Sequence, residues 1–153
     1  MDKNKQDFDN KQRQEWIALL AKADPFLLKK AEKQLGKGIE YAYITKPETG
    51  MIMVRARADN KKSGFCLGEI SVTKCILKIE KKIMGYAMVM GSDHDHAKNA
   101  ALFDGLLQIP EYSSKLMQTL IPELKKISRN EKKKQAKQNQ DTKVEFFTMK
   151  RGE

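Results

Sequence analysis

Ile39-Glu40-Tyr41-Ala42-Tyr43-Ile44-Thr45-Lys46-Pro47-Glu48-Thr49-Gly50-Met51-Ile52-Met53-Val54-Arg55-Ala56-Arg57-Ala58 is the stretch whose reading decides the fold. Tyrosine, isoleucine, valine and threonine suit a pleated surface, and Pro47-Glu48-Thr49-Gly50 in the middle has the composition of a turn. The stretch therefore reads as a hairpin, with one strand from Ile39 to Lys46 and a second from Met51 to Ala58. Asp59-Asn60-Lys61-Lys62-Ser63-Gly64 supplies the next turn. A third run, Phe65 to Ile79, is long for one strand and contains Gly68, which predicts a bulge or bend with Ile70, Val72 and Ile76 facing the core. Lys81-Lys82 turns the chain into a fourth run, Ile83 to Met90. Four successive strands on short connections predict a four-stranded antiparallel meander.

Helical patterns flank these strands. From Asp9 to Ala23, Trp16, Leu19, Leu20 and Ala23 recur at helical spacing, with Asp9 or Asn10 available as a cap. Asp24-Pro25 ends that helix and opens another, because aspartate caps and proline fits the first helical position. Leu27, Ala31 and Leu35 form its apolar stripe, and Gly36 and Gly38 end it. Ser92-Asp93-His94-Asp95 has the form of an N-cap followed three residues later by an acid. The helix it opens places Ala97, Ala100, Ala101 and Leu107 near one face. Pro110 interrupts, and Leu116, Leu120, Leu124 and Ile127 continue a helical stripe into a basic segment. The class is α+β: a four-stranded antiparallel sheet, flanking helices and an extended C-terminal tail. The predicted division is a disordered extension over 1–8, a core domain over 9–127, a basic helix or linker over 128–143 and a partner-docking tail over 144–153.

At 153 residues and 40% hydrophobic composition, the chain suffices for one domain with a real core. No apolar run approaches the ~20 residues needed to cross a bilayer. Met1-Asp2-Lys3-Asn4-Lys5-Gln6-Asp7 alternates charges where a secretory signal needs an apolar stretch, so the expectation is a cytoplasmic protein. The net charge is +10, but residues 125–137 alone hold seven basic side chains against Glu131. More than half the excess thus lies in one segment, which contains no aromatic to stack on a base; nucleic acid is not the expected partner.

Local chemistry is sparse. Cys66 and Cys75 form no CxxC pair, and no set of ligands has metal spacing, so no metal is expected. His94 and His96 come closest to a catalytic signal; proton transfer, anion contact by His96 at a helix N-terminus, and a structural role all fit the pair, the last best. Arg55 and Arg57 alternate with apolar residues, so both guanidinium groups project from one face of a strand. They form either a two-point anion grip or the solvated side of that strand. Glu69 and Asp104 are isolated acids suited to a hydrogen bond or salt bridge at the core edge, and the glycines make no nucleotide-binding loop. Phe146, Phe147 and Met149, with Arg151 beside them, need a surface to bury them, because each large side chain left in water forgoes ~1.5–3 kcal/mol. The surface is the chain's own sheet, a second copy or another subunit, and docking to another chain is the preferred reading.

Several short stretches carry a family resemblance in combination. They are Arg13-Gln14-Glu15-Trp16, Glu48-Thr49-Gly50, Phe65 with Gly68-Glu69, and Gly85-Tyr86. The run Gly91 to Ala97 followed by Ala101-Leu102-Phe103-Asp104, and the closing Phe146-Phe147-Thr148-Met149-Lys150-Arg151-Gly152, complete the set. In that order, from about Arg13 to Glu153, the chain resembles the G subunit of the bacterial carbon-phosphorus lyase core complex. The resemblance implies an accessory subunit that acts with the H, I and L subunits. Together they replace the adenine of a nucleoside triphosphate such as ATP with a phosphonate, giving ribose 1-phosphonate 5-triphosphate. It further implies a J subunit that carries an iron-sulfur cluster, uses S-adenosylmethionine and later breaks the carbon-phosphorus bond. The implied assembly is a hetero-oligomer with two copies of this chain, which would hold no cofactor of its own and show no turnover alone. No catalytic residue carries over by the resemblance. The alternative class is a small basic nucleic-acid-binding protein using residues 125–137.

Overall fold

The computed structural model describes residues 3–35, 39–57, 64–80 and 83–141, with side chains described from residue 10 to residue 140. The elements run α1 (Lys3–Ala21), α2 (Pro25–Leu35), β1 (Tyr41–Arg57), β2 (Gly64–Ile79), β3 (Ile83–Met90), α3 (His94–Leu107) and α4 (Pro110–Asp141). The strands form one antiparallel sheet in the order β1-β2-β3.

The sheet therefore has three strands, not four. Residues 39–58 do not fold back at Pro47-Glu48-Thr49-Gly50; β1 runs straight through them and pairs with β2 from Tyr41↔Ile79 to Arg57↔Gly64. Register shifts between Tyr43 and Thr45 and between Thr45 and Glu48 each leave an extra residue on β1. Proline lacks a ladder N–H, but at a bulge in an edge strand it forfeits nothing, so the feature read as a turn is absorbed as an irregularity. A third shift, between Val54 and Arg55, sets an extra residue on β2 beside Gly68, where a bulge was expected.

Alternation along β2 sends Thr73, Cys75, Leu77 and Ile79 toward the helices, and all four are buried. Ile70, Val72 and Ile76, expected to face the core, lie on the opposite side of the sheet; Val72 alone of the three is buried. On β3, Gly85, Ala87 and Val89 face the helices. Gly85 marks the closest approach: a Cβ there would run into the Ala101 carbonyl of α3 and come within 2.9 Å of the Gly105 nitrogen. Small residues on both sides let α3 lie directly on the sheet.

Helix α3 is the centre of the core, with eleven of its fourteen residues buried. Trp16 and Leu20 of α1, Leu28 of α2 and Leu116, Leu120, Ile121 and Leu124 of α4 join it in one apolar cluster. The cap of α3 is Asp93, whose carboxylate accepts the His96 N–H at 2.8 Å, rather than Ser92. Helix α1 begins at Lys3, within the segment expected to be disordered and ahead of the expected start at Asp9. Helix α4 continues unbroken through Pro122 and the whole basic segment. Beyond Ser128 its described side chains are exposed, so its last three turns present charge to solvent. The predicted turns at Asp59–Gly64 and Lys81-Lys82, the Gly36 and Gly38 stops and the 144–153 tail fall outside or largely outside the described residues. Among the described residues no helix is long and apolar enough to cross a membrane.

Candidate functional site

Two segments far apart in sequence meet where α3 begins. Thr49 lies opposite Thr73 across β1 and β2, with the hydroxyls 2.9 Å apart. Thr73 donates its one proton to the Gly91 carbonyl at 2.7 Å, so its oxygen must accept from the Thr49 hydroxyl. The Thr49 oxygen in turn accepts from Nε2 of His94 at 3.0 Å. The relay fixes the proton of neutral His94 on Nε2 and leaves Nδ1 with the free lone pair. The His94 ring is exposed while Thr73 is fully buried, so the relay runs from the surface to the core.

His96 is used differently. Its ring is buried and Nε2 lies 2.9 Å from the Leu20 carbonyl, which can only accept, so this nitrogen also carries the proton. The ring is turned inward, tying the start of α3 to the end of α1. Asp93 and Asp95 flank His94 in sequence, whereas Glu48, opposite Lys74, lies on the other face of the sheet from Thr49. Lys29 lies 3.9 Å from Asp95, and Lys74 pairs with Glu48 at 2.8 Å. That hydrogen bond and the Glu48 charge raise the Lys74 pKa. Burial works to lower Lys98, but its 2.9 Å bond to Glu32 and that partner's charge outweigh it, and the net shift is upward. Burial, followed by the neighbouring Tyr41, pushes Tyr43 up to about 12, and burial pushes the Cys75 thiol up to about 11. None of these shifts creates a general acid or base near neutral pH.

Arg55 and Arg57 lie on the outer end of β1, both exposed and, by strand alternation, on one face. They do not join the histidines: Arg55 is six residues past Thr49, roughly 20 Å along an extended strand. Phe146, Phe147, Met149 and Arg151 lie outside the described residues. Among the described residues no three His, Cys, Asp or Glu side chains are grouped to hold a metal ion.

The most extensive feature is apolar surface. Opposite the helices, Met84, Met88 and Met90 of β3 and Ile52 of β1 are exposed on a face that no described element covers. Beyond the end of β3, Met51–Arg57 and Gly64–Ser71 continue as a two-stranded ribbon. Met51, Met53, Phe65 and Leu67 are exposed there, and Cys66 meets Met53 sulfur to sulfur at 3.1 Å. A two-stranded ribbon is marginal in water without further packing, and contiguous exposed apolar surface marks a contact site. A cleft of about 320 Å³ between α2 and α4, floored by Leu27, Ala31, Leu116 and Leu120, is a second apolar recess.

The two edges of the sheet differ. On β3, the Met84 carbonyl accepts from Arg13 Nη2 at 3.1 Å and from Gln108 Nε2 at 2.9 Å, while the Tyr86 N–H donates to Asp104 at 2.9 Å. Asp104 is fully buried and also accepts from Nε and Nη2 of Arg13 and from the Trp16 indole N–H. Sequence reasoning anticipated a hydrogen bond or salt bridge for Asp104 at the core edge, but neither its partners nor its full burial; the shared presence of Arg13-Gln14-Glu15-Trp16 and Phe103-Asp104 in one motif set was the available signal.

The phosphonate metabolism protein PhnG family model matches residues 11–152, from the middle of α1 through every later element. The alpha-D-ribose 1-methylphosphonate 5-triphosphate synthase subunit PhnG of Rhizobium meliloti (strain 1021) is 32% identical over 142 residues, 93% of this chain and 90% of that protein. On the family match over nearly its whole length and this relative, the chain belongs to the PhnG family of phosphonate metabolism.

Proposed function

We propose that this chain is a non-catalytic subunit of ribose 1-methylphosphonate 5-triphosphate synthase, the assembly that displaces adenine from a nucleoside triphosphate with a phosphonate. The relative of that name supports the assignment. The observation that carries the structural half is the uncovered sheet face, where Met84, Met88 and Met90 adjoin an exposed two-stranded ribbon. At ~1.5–3 kcal/mol for each large side chain buried, covering a handful of these supplies enough energy to hold subunits together.

In this reading the H, I, J and L subunits are the partners, and two copies of the chain enter a hetero-oligomer in the cytoplasm. The iron-sulfur cluster and S-adenosylmethionine belong to the J subunit, and the chemistry of adenine displacement lies in another subunit. Phe146, Phe147, Met149 and Arg151 form a second docking element at the C-terminus. Arg55 and Arg57 are the proposed contacts to an anionic group of substrate or partner, whereas the His96 ring is committed to Leu20.

Co-expression of the tagged full chain with the other subunits tests the assignment. The expected result is co-purification of the complex, loss of that capture on deleting residues 144–153, and a truncated chain that still folds. Failure of the full chain to capture any of the subunits would sink the assignment. Normal assembly by the truncated chain would remove the tail from the interface.

A further inference from the structure

The free edge of β1 differs from that of β3 in one decisive respect: nothing described closes it. Gly91 N–H donates to the Ser71 carbonyl at 2.8 Å, so the main-chain groups of Ser71 point toward β3. In an antiparallel sheet the N–H and C=O of one residue point the same way. Met51, directly opposite Ser71, therefore sits in a non-hydrogen-bonded pair and turns its N–H and C=O away from β2. Thr49 and Met53, two residues to either side, do the same. The register is unbroken from Glu48 to Val54, and among the described residues no main-chain group meets this row.

We propose that the edge of β1 from Thr49 to Met53 accepts an added strand from a different subunit, an extended segment that is apolar at its centre and carries carboxylates at both ends. Charge identifies the occupant. Exposed Lys46 flanks the row on one side, exposed Arg55 and Arg57 on the other, and no described acid pairs with them. Lys46 and Arg55 stand nine residues apart, roughly 30 Å of strand, which sets the spacing of the complementary carboxylates. A second copy does not fit: antiparallel self-pairing centred on Met51 would set Lys46 of each chain between Arg55 and Arg57 of the other. The chain's own tail is the poorer match, because Lys143, Lys150 and Arg151 outweigh Glu145 and Glu153 around its apolar run, so the segment carries the same sign of charge as the edge. Strand addition supplies affinity through main-chain hydrogen bonds and specificity through flanking side chains. It also braces the ribbon, which gains a third strand.

The inference rests on the chain being a subunit of the synthase, and the test separates the two. The full chain is co-expressed with the remaining synthase subunits as wild type, as Met51→Pro with Met53→Pro, and as Met51→Ala with Met53→Ala. Both prolines replace N–H groups that β2 does not use, so the β1–β2 ladder is preserved. The proline pair should cut capture on the order of tenfold or more, while the alanine pair, which keeps the N–H groups, stays within a few-fold of wild type. Capture by the proline pair equal to wild type overturns the inference, as does equal loss in both pairs, which would place the contact on the side chains. A wild-type chain that dimerises alone through this edge, with the proline pair monomeric, would overturn the choice of a different subunit. Should the prolines unfold the chain, amide exchange of the wild type decides. Thr49, Met51 and Met53 should exchange fast in the free chain and slowly in the complex, and unchanged exchange rejects the added strand. If wild type captures no subunit, the assignment to the synthase fails rather than the edge.

Discussion

Arg13 and Asp104, ninety-one positions apart, form a 2.8 Å ion pair that joins α1 to α3 and closes the outer edge of β3. Asp104 is fully buried, while the Arg13 side chain is about one-third exposed. The carboxylate also accepts from the Trp16 indole and the Tyr86 main chain, so one acid of α3 satisfies donors from two other elements, α1 and β3. Asp104→Ala should cost about 3–5 kcal/mol, the range for breaking a buried pair and leaving its partners unsatisfied. Urea denaturation at neutral pH checks this. A loss below ~1 kcal/mol would mean that water replaces the carboxylate.

Gly85 should be among the least replaceable residues in the sheet. An added Cβ strikes the Ala101 carbonyl, which belongs to helix backbone and cannot turn aside. At Gly105 the nearest obstacle is the Ile79 side chain, which has rotamers available. Gly85→Ala is therefore expected to destabilise by about 1–3 kcal/mol or more and Gly105→Ala by less, since overpacking is costly where atoms cannot move. Thermal unfolding of the two variants gives the comparison, and equal losses would contradict the helix–sheet approach.

Much of the scaffold was legible in the sequence because local signals coincided with real boundaries. Asp24-Pro25 separates α1 from α2, Pro110 opens α4, and the Ile83–Met90 run is β3. Pro47 misled because proline and glycine mark turns in isolation, whereas a strand edge with bulges accommodates both. The sidedness of β2 was illegible for another reason. Ile70, Val72 and Ile76 make one apolar face, and Cys75, Leu77 and Ile79 make the other, so hydrophobicity could not say which meets the helices. A sheet apolar on both faces with helices on only one has an interface to offer. The His94–Thr49 meeting was hidden by the turn reading, and the Arg13–Asp104 pair by its sequence separation.

The two cysteines should separate cleanly by reactivity. Cys66 is exposed and Cys75 is fully buried, with burial raising its thiol to about 11 from 9.0. A thiol reagent at pH 8 should modify Cys66 in the folded chain and reach Cys75 only on unfolding. The same shift sets an alkaline limit. Below pH 9 the thiol is neutral in both states and its contribution is intact. Between about pH 9 and 11 the unfolded chain loses the proton first, so stability falls as pH rises. Denaturation midpoints measured from pH 8 to 11 should decline over that window, and Cys75→Ala should flatten the decline even if it lowers stability at pH 8.

The direction of the hydroxyl relay can be read from its mutants. Thr73 is fully buried and supplies the proton that satisfies the Gly91 carbonyl, whereas Thr49 is exposed and ends on an exposed imidazole. Removing a buried donor leaves its acceptor without a partner at a cost of ~1–3 kcal/mol, while a surface hydroxyl is replaced by water at little cost. Thr73→Val should thus destabilise by about 1–2 kcal/mol, and Thr49→Val by a few tenths. In the wild type, nitrogen-resolved NMR of neutral His94 should place the proton on Nε2, and Thr49→Val should shift the population toward the Nδ1 tautomer. A predominant Nδ1–H form in the wild type would reverse the relay. It would require Thr49 to donate to His94 and leave Thr73 no proton to accept from it, which the 2.9 Å separation of the two hydroxyls makes costly.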